Sequence, residues 1–427
     1  MQQHVRNRPV IALACLMLGS GACSRQAMDE APAEPRTATA AQSSGGCQPL
    51  ETREPNATEQ KPTVSGQTRA CPATSTSTYD VTVVARGLAY PWAVEPLPTG
   101  EYLVTEKPGR LRIISSDGKV GAPIEGLTTK VDAKGQGGLL DVALSPSFDT
   151  DRTIYWSFSE PRPGGNGTSV ARGVLSADHT RLDDVTVIFH TSPTYDGDKH
   201  FGSRLAFGPD GMLYVTLGER SDTPMRPQAQ LLSSHLGKVL RLTRDGQQPP
   251  DNPFAKDSNA LPGIFSLGHR NAQSAAFDDQ GRLWVIEHGT RGGDELNLVE
   301  AGKNYGWPIV AFGREYSGSP IEGAVTTREK YVDPIYYWDP VIAPSGAQFY
   351  TGSAFPEWRG NLFVGGLKDK FLVRLVLQDG KVVGEEHLLT DRGHRIRDVR
   401  QGPDGALYVT TDDDNGELWR IAPRKSS

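Results

Sequence analysis

The chain has 427 residues, more than an average domain, although all-β domains often run past about 200 residues as one unit. Hydrophobic residues make up 37% and charged residues 22%, enough apolar material for a packed core, and 47 glycines with 31 prolines favour many tight turns between short strands over long helices. With a formal charge of −6 and no basic stripe, nucleic acid is not expected as a partner.

Residues 1–22 read as an export signal. Arg6 and Arg8 form a positive start, Val10 to Leu18 is an apolar run too short to span a bilayer, and small residues Gly19 to Ala22 lead to Cys23. That ending has the pattern of a bacterial lipobox, with Ser20 where Leu is usual, so Cys23 is the expected lipid anchor. The expected location is the periplasm, free or anchored to the outer membrane and facing the periplasm. The other reading is ordinary cleavage to a free periplasmic protein. All 4 cysteines precede residue 72. Cys47 and Cys71 can pair in an oxidising compartment, although the sequence leaves that open. Beyond residue 78 there is no cysteine, which excludes zinc–thiolate and cysteine-nucleophile chemistry there. Residues 23–77 are rich in Ala, Thr, Ser, Pro, Gln and Glu without aliphatic periodicity and are expected to be a disordered, flexible tether.

From Tyr79 a unit recurs: an apolar strand, a Pro/Asp-Gly turn, a second apolar strand. Copies run Ala93 to Val104, Leu205 to Val215, Ala276 to Val285 and Val399 to Val409, with looser copies at Val142 to Phe158 and Ala347 to Val364. The Asp-Gly pair supplies the positive φ of a hairpin turn. Several copies add a further strand, as in Gly109 to Ile114, Gly237 to Leu242 and Gly416 to Ile421. One unit cannot bury both its faces, but copies stacked around an axis can. Residues 78–424 are therefore expected to form an all-β, six-bladed propeller of four-stranded antiparallel sheets. The strand from Tyr79 to Ala85 is expected to complete the last blade.

A propeller gathers the loops of all its blades around the axis, and several loops beside these strands carry polar clusters. Gly135-Gln136-Gly137-Gly138-Leu139-Leu140-Asp141 lets backbone approach a ligand, or is a tight turn. His200, in Lys199 to Leu205, is a candidate general base or a solvated loop histidine. Arg270, in Gly268-His269-Arg270-Asn271, can hold a carboxylate or developing oxyanion, or a structural ion pair. Glu287 to Asn297 offers Gly-loop carbonyls and carboxylates that suit Ca²⁺, without the spacing of an EF-hand loop. Arg395 and Arg397 alternate, so both point to one side of an extended segment. With Lys368 and Arg270 they can gather four positive charges for a polyanionic small ligand. The run Asp412-Asp413-Asp414-Asn415 reads as a solvated turn, and secondarily as a metal site.

These clusters, with Asn304-Tyr305-Gly306-Trp307-Pro308 and Ala343-Pro344-Ser345-Gly346, in this order over residues 82–422, resemble the soluble PQQ-dependent glucose/sorbosone dehydrogenase family. The nearest branch is the bacterial aldose sugar dehydrogenases. The resemblance implies a six-bladed propeller that uses pyrroloquinoline quinone (PQQ) and Ca²⁺ to oxidise an aldose at C1 to the lactone, with electrons passing to an external acceptor. Position by position, it implies His200 as base, Arg270 as the stabiliser of charge on the quinone, and Gln136 lining the site. It implies Asn271, Lys368, Arg395 and Arg397 around PQQ, the carbonyls of Gly289 and Thr290 on Ca²⁺, and Trp338 as an aromatic wall over the sugar. The family's glucose-oxidising members carry Asp directly before the catalytic His, where this chain has Lys199; Thr290 replaces a frequent Pro. The alternatives are a non-catalytic propeller that binds carbohydrate or protein, and a Ca²⁺-dependent lactonase. The cationic character of the candidate axial groups weighs against the lactonase.

Overall fold

A computed structural model of the chain describes residues 46–424; the export signal and Cys23 lie outside the described residues. Six four-stranded antiparallel sheets account for nearly all the regular structure. Blade 1 spans Pro91–Pro96 to Val120–Pro123, blade 2 Leu139–Leu144 to Leu182–His190, and blade 3 Leu205–Phe207 to Ile264–Leu267. Blade 4 spans Ala272–Phe277 to Tyr336–Trp338, and blade 5 Pro344–Phe349 to Lys381–Leu388. Blade 6 takes three strands from Ile396–Gln401 to Gly416–Pro423, and its outer strand is Tyr79–Leu88, paired antiparallel with Gly416–Pro423. The ring is thus closed by joining the two ends of the propeller sequence, as the strand at Tyr79 led us to expect.

The first strand of each blade faces the axis, and the first strands of successive blades contact one another in a closed ring. In blades 1, 2, 4, 5 and 6 the ladder between first and second strand is broken by a register shift near the start of the first strand. A bulge there leaves backbone groups without a ladder partner. The preceding blade supplies the partner. Thr105 Oγ1 donates to Leu140 O at 2.6 Å, Ser157 Oγ to Ser203 O at 2.7 Å, and Thr216 Oγ1 to Ala272 O at 2.9 Å. Ser274 Oγ donates to Ser345 O, and Ser345 Oγ to Ile396 O at 2.7 Å. Val94 N closes the circle by donating to Asp398 Oδ2 at 3.1 Å. Each blade is therefore pinned to the next by a buried side chain. Replacing Thr105 by Val keeps the shape but strands Leu140 O and Ala93 N, which Thr105 Oγ1 also accepts from at 3.0 Å. The expected loss is about 1–3 kcal/mol in chemical denaturation.

The tether expected over residues 23–77 is corrected for its described part. Residues 46–77 lie on the propeller, joined by a Cys47–Cys71 disulfide with Cα–Cα 5.9 Å. Ala57 and Gln67 are buried. Asn56 and Ala57 amides donate to Asp339, Gln67 Nε2 to Pro334 O at 2.8 Å, and Ala70 N to Tyr336 Oη at 2.9 Å. A polar composition misled because these residues dock by backbone and amide hydrogen bonds to the propeller, which need no hydrophobic periodicity.

Candidate active site

First and second strands of a blade run antiparallel, so the start of one lies beside the end of the other. Pro91 pairs with Glu106, Ala272 with Glu287, and Ile396 with Thr411. Residues just before a first strand and just after a second strand therefore converge on one end of the ring. Gln136, His200, Arg270, Asn271 and Arg395 stand in the first position, and Lys107, Glu219, His288 and Asp412 in the second.

A cavity of about 260 Å³ opens there, with Trp92, Gln136, His288, Arg395, Arg397 and Asp412 on its wall together with Tyr90 and Lys107. Arg395 and Arg397 both pair with Asp412, at 2.7 and 3.0 Å. Burial would push the Asp412 carboxyl up, but Arg397 and Arg395 outweigh it and hold it below its ordinary value. The expectation of a solvated turn at Asp412 is thereby corrected. Arg395, Arg397 and Lys107 still leave the wall positively charged against this one carboxylate.

His200 adjoins the wall, its backbone N donating to Gln136 Oε1 at 2.8 Å. Its ring is buried, and Nδ1 lies 2.6 Å from Glu219 Oε2. A carboxylate can only accept, so Nδ1 carries the proton and Nε2 is left as the acceptor. Burial lowers the His200 pKa from 6.5; Glu219 raises it, Arg270 lowers it further, and the net shift is downward. Glu219, also buried, is held below its ordinary value because His200 and Arg270 outweigh the effect of burial. The pair is therefore a neutral imidazole on a carboxylate. His200 sits at φ +51, a left-handed conformation uncommon for a residue with a side chain. Gly218 permits it, because a Cβ there would stand 2.2 Å from His200 O.

Arg270 is buried beside Trp307, its guanidinium 5.1 Å from the ring centre. Its Nη1 donates to His288 O at 3.0 Å and to Gly289 O. Asn271 is buried and accepts from Gly202 N at 3.2 Å. His288 is driven to a pKa of about 3, by burial first and then by His200, Arg270 and Arg397 against the bond to Pro344 O. That bond, donated by Nε2 to Pro344 O at 2.6 Å, places the proton of the neutral ring on Nε2. Thr290 is buried and its Oγ1 has no partner among the described residues.

Gln136, Arg395 and Arg397 thus meet on one wall, with His200, Arg270, Asn271, Gly289 and Thr290 packed against or next to its residues. Lys368 does not join them on the wall; it is exposed beside Leu367, which does. Trp338, expected over the sugar, is buried in the blade 4–5 core with Nε1 3.2 Å from Glu385. Tyr90, Trp92 and Phe201 are the aromatic rings at the cavity. Glu219 was not singled out in the sequence; its place after a second strand, in Gly218-Glu219-Arg220, is the signal that would have found it.

Beneath the cavity lies a buried ionic cluster. Arg204 Nη1 is 2.7 Å from Asp141 and 3.1 Å from Asp398, and Arg400 reaches Asp398, Asp141 and Glu95 at 3.2, 3.4 and 3.4 Å. The Arg204 guanidinium lies 4.5 Å from the centre of the Trp92 ring, so the cluster backs one wall residue of the cavity.

The comparisons with known proteins agree with this architecture. A family model described as glucose/sorbosone dehydrogenase matches residues 88–420. Aldose sugar dehydrogenase YliI of Escherichia coli is 43% identical over 354 residues, covering 82% of this chain and 94% of the relative. The apo-form crystal structure of the soluble aldose sugar dehydrogenase from Escherichia coli, 43% identical, superposes with a TM-score of 0.78, covering 81% of this chain and 100% of that one. The PQQ-bound aldose sugar dehydrogenase from Streptomyces coelicolor is 29% identical, with a TM-score of 0.66 over 82% of this chain and 100% of that one.

Proposed function

The chain belongs to the glucose/sorbosone dehydrogenase family, and from that membership and the cavity we infer that it oxidises an aldose at C1 to the lactone with PQQ and Ca²⁺. The observation that carries the reading is His200, its Nδ1 on Glu219 and its Nε2 without a partner among the described residues, bonded to Gln136 on the wall of a cationic cavity.

The residues fit the two cofactors. PQQ is a tricarboxylate, and Arg395, Arg397 and Lys107 outnumber the one carboxylate on the wall. Ca²⁺ seeks hard oxygen donors, and the carbonyls of His288 and Gly289 already converge on one cationic group, Arg270 Nη1, with the unpartnered Thr290 hydroxyl close in sequence. Arg395, Arg397, Asn271 and Lys368, the exposed neighbour of the wall residue Leu367, would hold PQQ, and Gly289 and Thr290 would hold Ca²⁺. When bound, PQQ with its Ca²⁺ supplies a hydride acceptor.

The protein's own contribution is proton handling and positioning. His200 Nε2 takes the proton of the sugar C1 hydroxyl, and loss of the C1 hydride leaves the lactone carbonyl. Glu219 fixes the tautomer and offsets the positive charge that forms on the ring. Burial, with Arg270 adding to it, keeps that ring neutral beforehand, and the Arg270 guanidinium would supply a fixed positive charge to offset negative charge gained by a bound quinone. Gln136 ties the cavity wall to the His200 backbone. The Cys47–Cys71 disulfide supports an oxidising compartment, in keeping with export through residues 1–22 and an anchor at Cys23. No helix among the described residues is long and apolar enough to cross a membrane.

The test is titration of the purified apoprotein with PQQ and Ca²⁺, followed by dye reduction with a panel of aldoses. Dye reduction that needs both cofactors supports the reading. Lactone hydrolysis without PQQ, or sugar binding without turnover, overturns it.

Two further results are expected. The acid limb of kcat/KM falls below pH 6.5, because the base works as neutral imidazole and its pKa lies below that ordinary value. Replacing Glu219 by Gln keeps an acceptor oxygen but removes the charge that favours imidazolium. The limb then moves to still lower pH, and kcat falls by about 10- to 100-fold. A pH profile and kcat that match wild type would rule Glu219 out as the orienting partner.

A further inference from the structure

The match to the family model begins at residue 88, so segment 46–77 lies outside the shared part of the chain. It is nevertheless built against one particular loop. Asn56 N and Nδ2 donate to Asp339 Oδ1 at 2.8 and 3.0 Å, and Ala57 N to Asp339 Oδ2 at 3.0 Å. That carboxylate lies directly against Gly292, where a Cβ would come within 2.8 Å of Asp339 Oδ1. The Gln60 amide bonds both ways with Gly313, Nε2 to O at 3.0 Å and N to Oε1 at 2.6 Å. Gly313 is the second neighbour of Gly292, whose added Cβ would stand 3.0 Å from Gly313 Cα. Arg314 exchanges two backbone bonds with Arg291, each 2.9 Å, and pairs with Glu59 at 2.6 Å. Arg291 Nε in turn donates to Asn56 Oδ1 at 3.2 Å. Residues 291–292 are thus gripped from both sides by groups that the segment holds, and Thr290 N donates to Gly292 O at 3.1 Å.

We propose that the disulfide-closed segment 46–71 is a positioning element that sets the geometry of loop 289–293, and through it the Gly289 and Thr290 carbonyls that hold Ca²⁺. The proposal rests on the metal assignment above. A segment without a sheet ladder of its own frays easily, and the Cys47–Cys71 bond limits what it can reach once detached. Reduction of that bond should therefore loosen a loop to which neither cysteine belongs, and so couple cofactor loading to an oxidising compartment.

Two variants test this in the full-length chain: Cys47→Ser with Cys71→Ser, and Asn56→Ala with Gln60→Ala, which leaves the disulfide in place should the first fail to fold. Hydrogen exchange is followed on the apoprotein for peptides covering 288–293, and Ca²⁺ binding by calorimetry in the presence of PQQ. Exchange in 288–293 is expected to rise about tenfold while blades 1 and 2 keep their protection. The Ca²⁺ dissociation constant is expected to rise about tenfold, with the melting midpoint of the Asn56→Ala/Gln60→Ala protein unchanged. Unaltered exchange and unaltered Ca²⁺ affinity in that variant overturn the proposal while the metal assignment stands. A wild-type protein that takes up no Ca²⁺ overturns the metal assignment and the metal part of this proposal with it.

Discussion

Replacing His200 by Ala is expected to lower kcat by about 10²–10⁴-fold, the contribution of one well-placed general base, while the absorbance change on PQQ titration persists. The two outcomes separate because the groups differ. The cationic wall is Arg395, Arg397 and Lys107, none of which bonds to His200. The imidazole is held instead by Glu219 through Nδ1 and by Gln136 through its backbone N, and the Ala variant keeps the second bond. Removing the ring deletes the proton acceptor and leaves the Glu219 carboxylate buried beside Arg270, which still offsets its charge. The loss should therefore fall on kcat more than on folding. Wild-type turnover in the variant would remove His200 from the reaction.

The second large effect is structural. Replacing Arg204 by Met is expected to destabilise the protein by about 3–5 kcal/mol, the usual result of breaking a buried ion pair from one side. Arg204 is buried and serves Asp141, Asp398 and, through Nε, Gln273 O at 3.1 Å. Burial pushes the Asp141 pKa up; Arg204 and Arg400 pull against it, and Asp398 adds to the rise. Without Arg204 two carboxylates from different blades face each other with Arg400 alone between them. Adding Asp141→Asn should recover part of the loss, and the double-mutant cycle in urea denaturation measures the coupling. The packing behind Trp92 goes with the guanidinium, so KM for the sugar should rise as well. A single variant within about 0.5 kcal/mol of wild type would show that the cluster is not what joins the blades at the axis.

How much of this was legible before the fold was seen depends on the range of the interaction concerned. The hairpin at Leu205 to Val215, with its Asp-Gly turn, is a local object, and its alternation survives in the observed pairing of Leu205 with Val215 and Phe207 with Leu213. Six such units, and Tyr79 left over to close the ring, follow from residues within hairpin distance of one another. The alternation of Arg395 and Arg397 likewise predicted two cations on one side, and both line the cavity. Glu219 escaped notice because the shape of its loop, not its spacing from His200, makes the pair. Asp412 read as solvent-facing because a carboxylate in an acidic run shows nothing of the arginines that the neighbouring strand of the same blade sets beside it. Trp338 was placed at the sugar from an aligned position, but its register against Asp294 turns it into the blade core.

Sequence alone determined the repeating strand–turn–strand unit, the number of blades and the loops that carry the polar groups, because strand periodicity and turn chemistry act over a few residues. Only the tertiary structure decided which of those groups meet: His200 with Glu219, Arg204 with Asp141 and Asp398, Asn56 with Asp339, and Gln60 with Gly313. The first is set by loop shape within one blade; contacts to Asp398 from Arg204 and from Val94, some three hundred positions away, are set by ring closure. A polar segment such as 46–77 bonds to a surface that the folded blade 4 presents, more than 260 residues further along the chain.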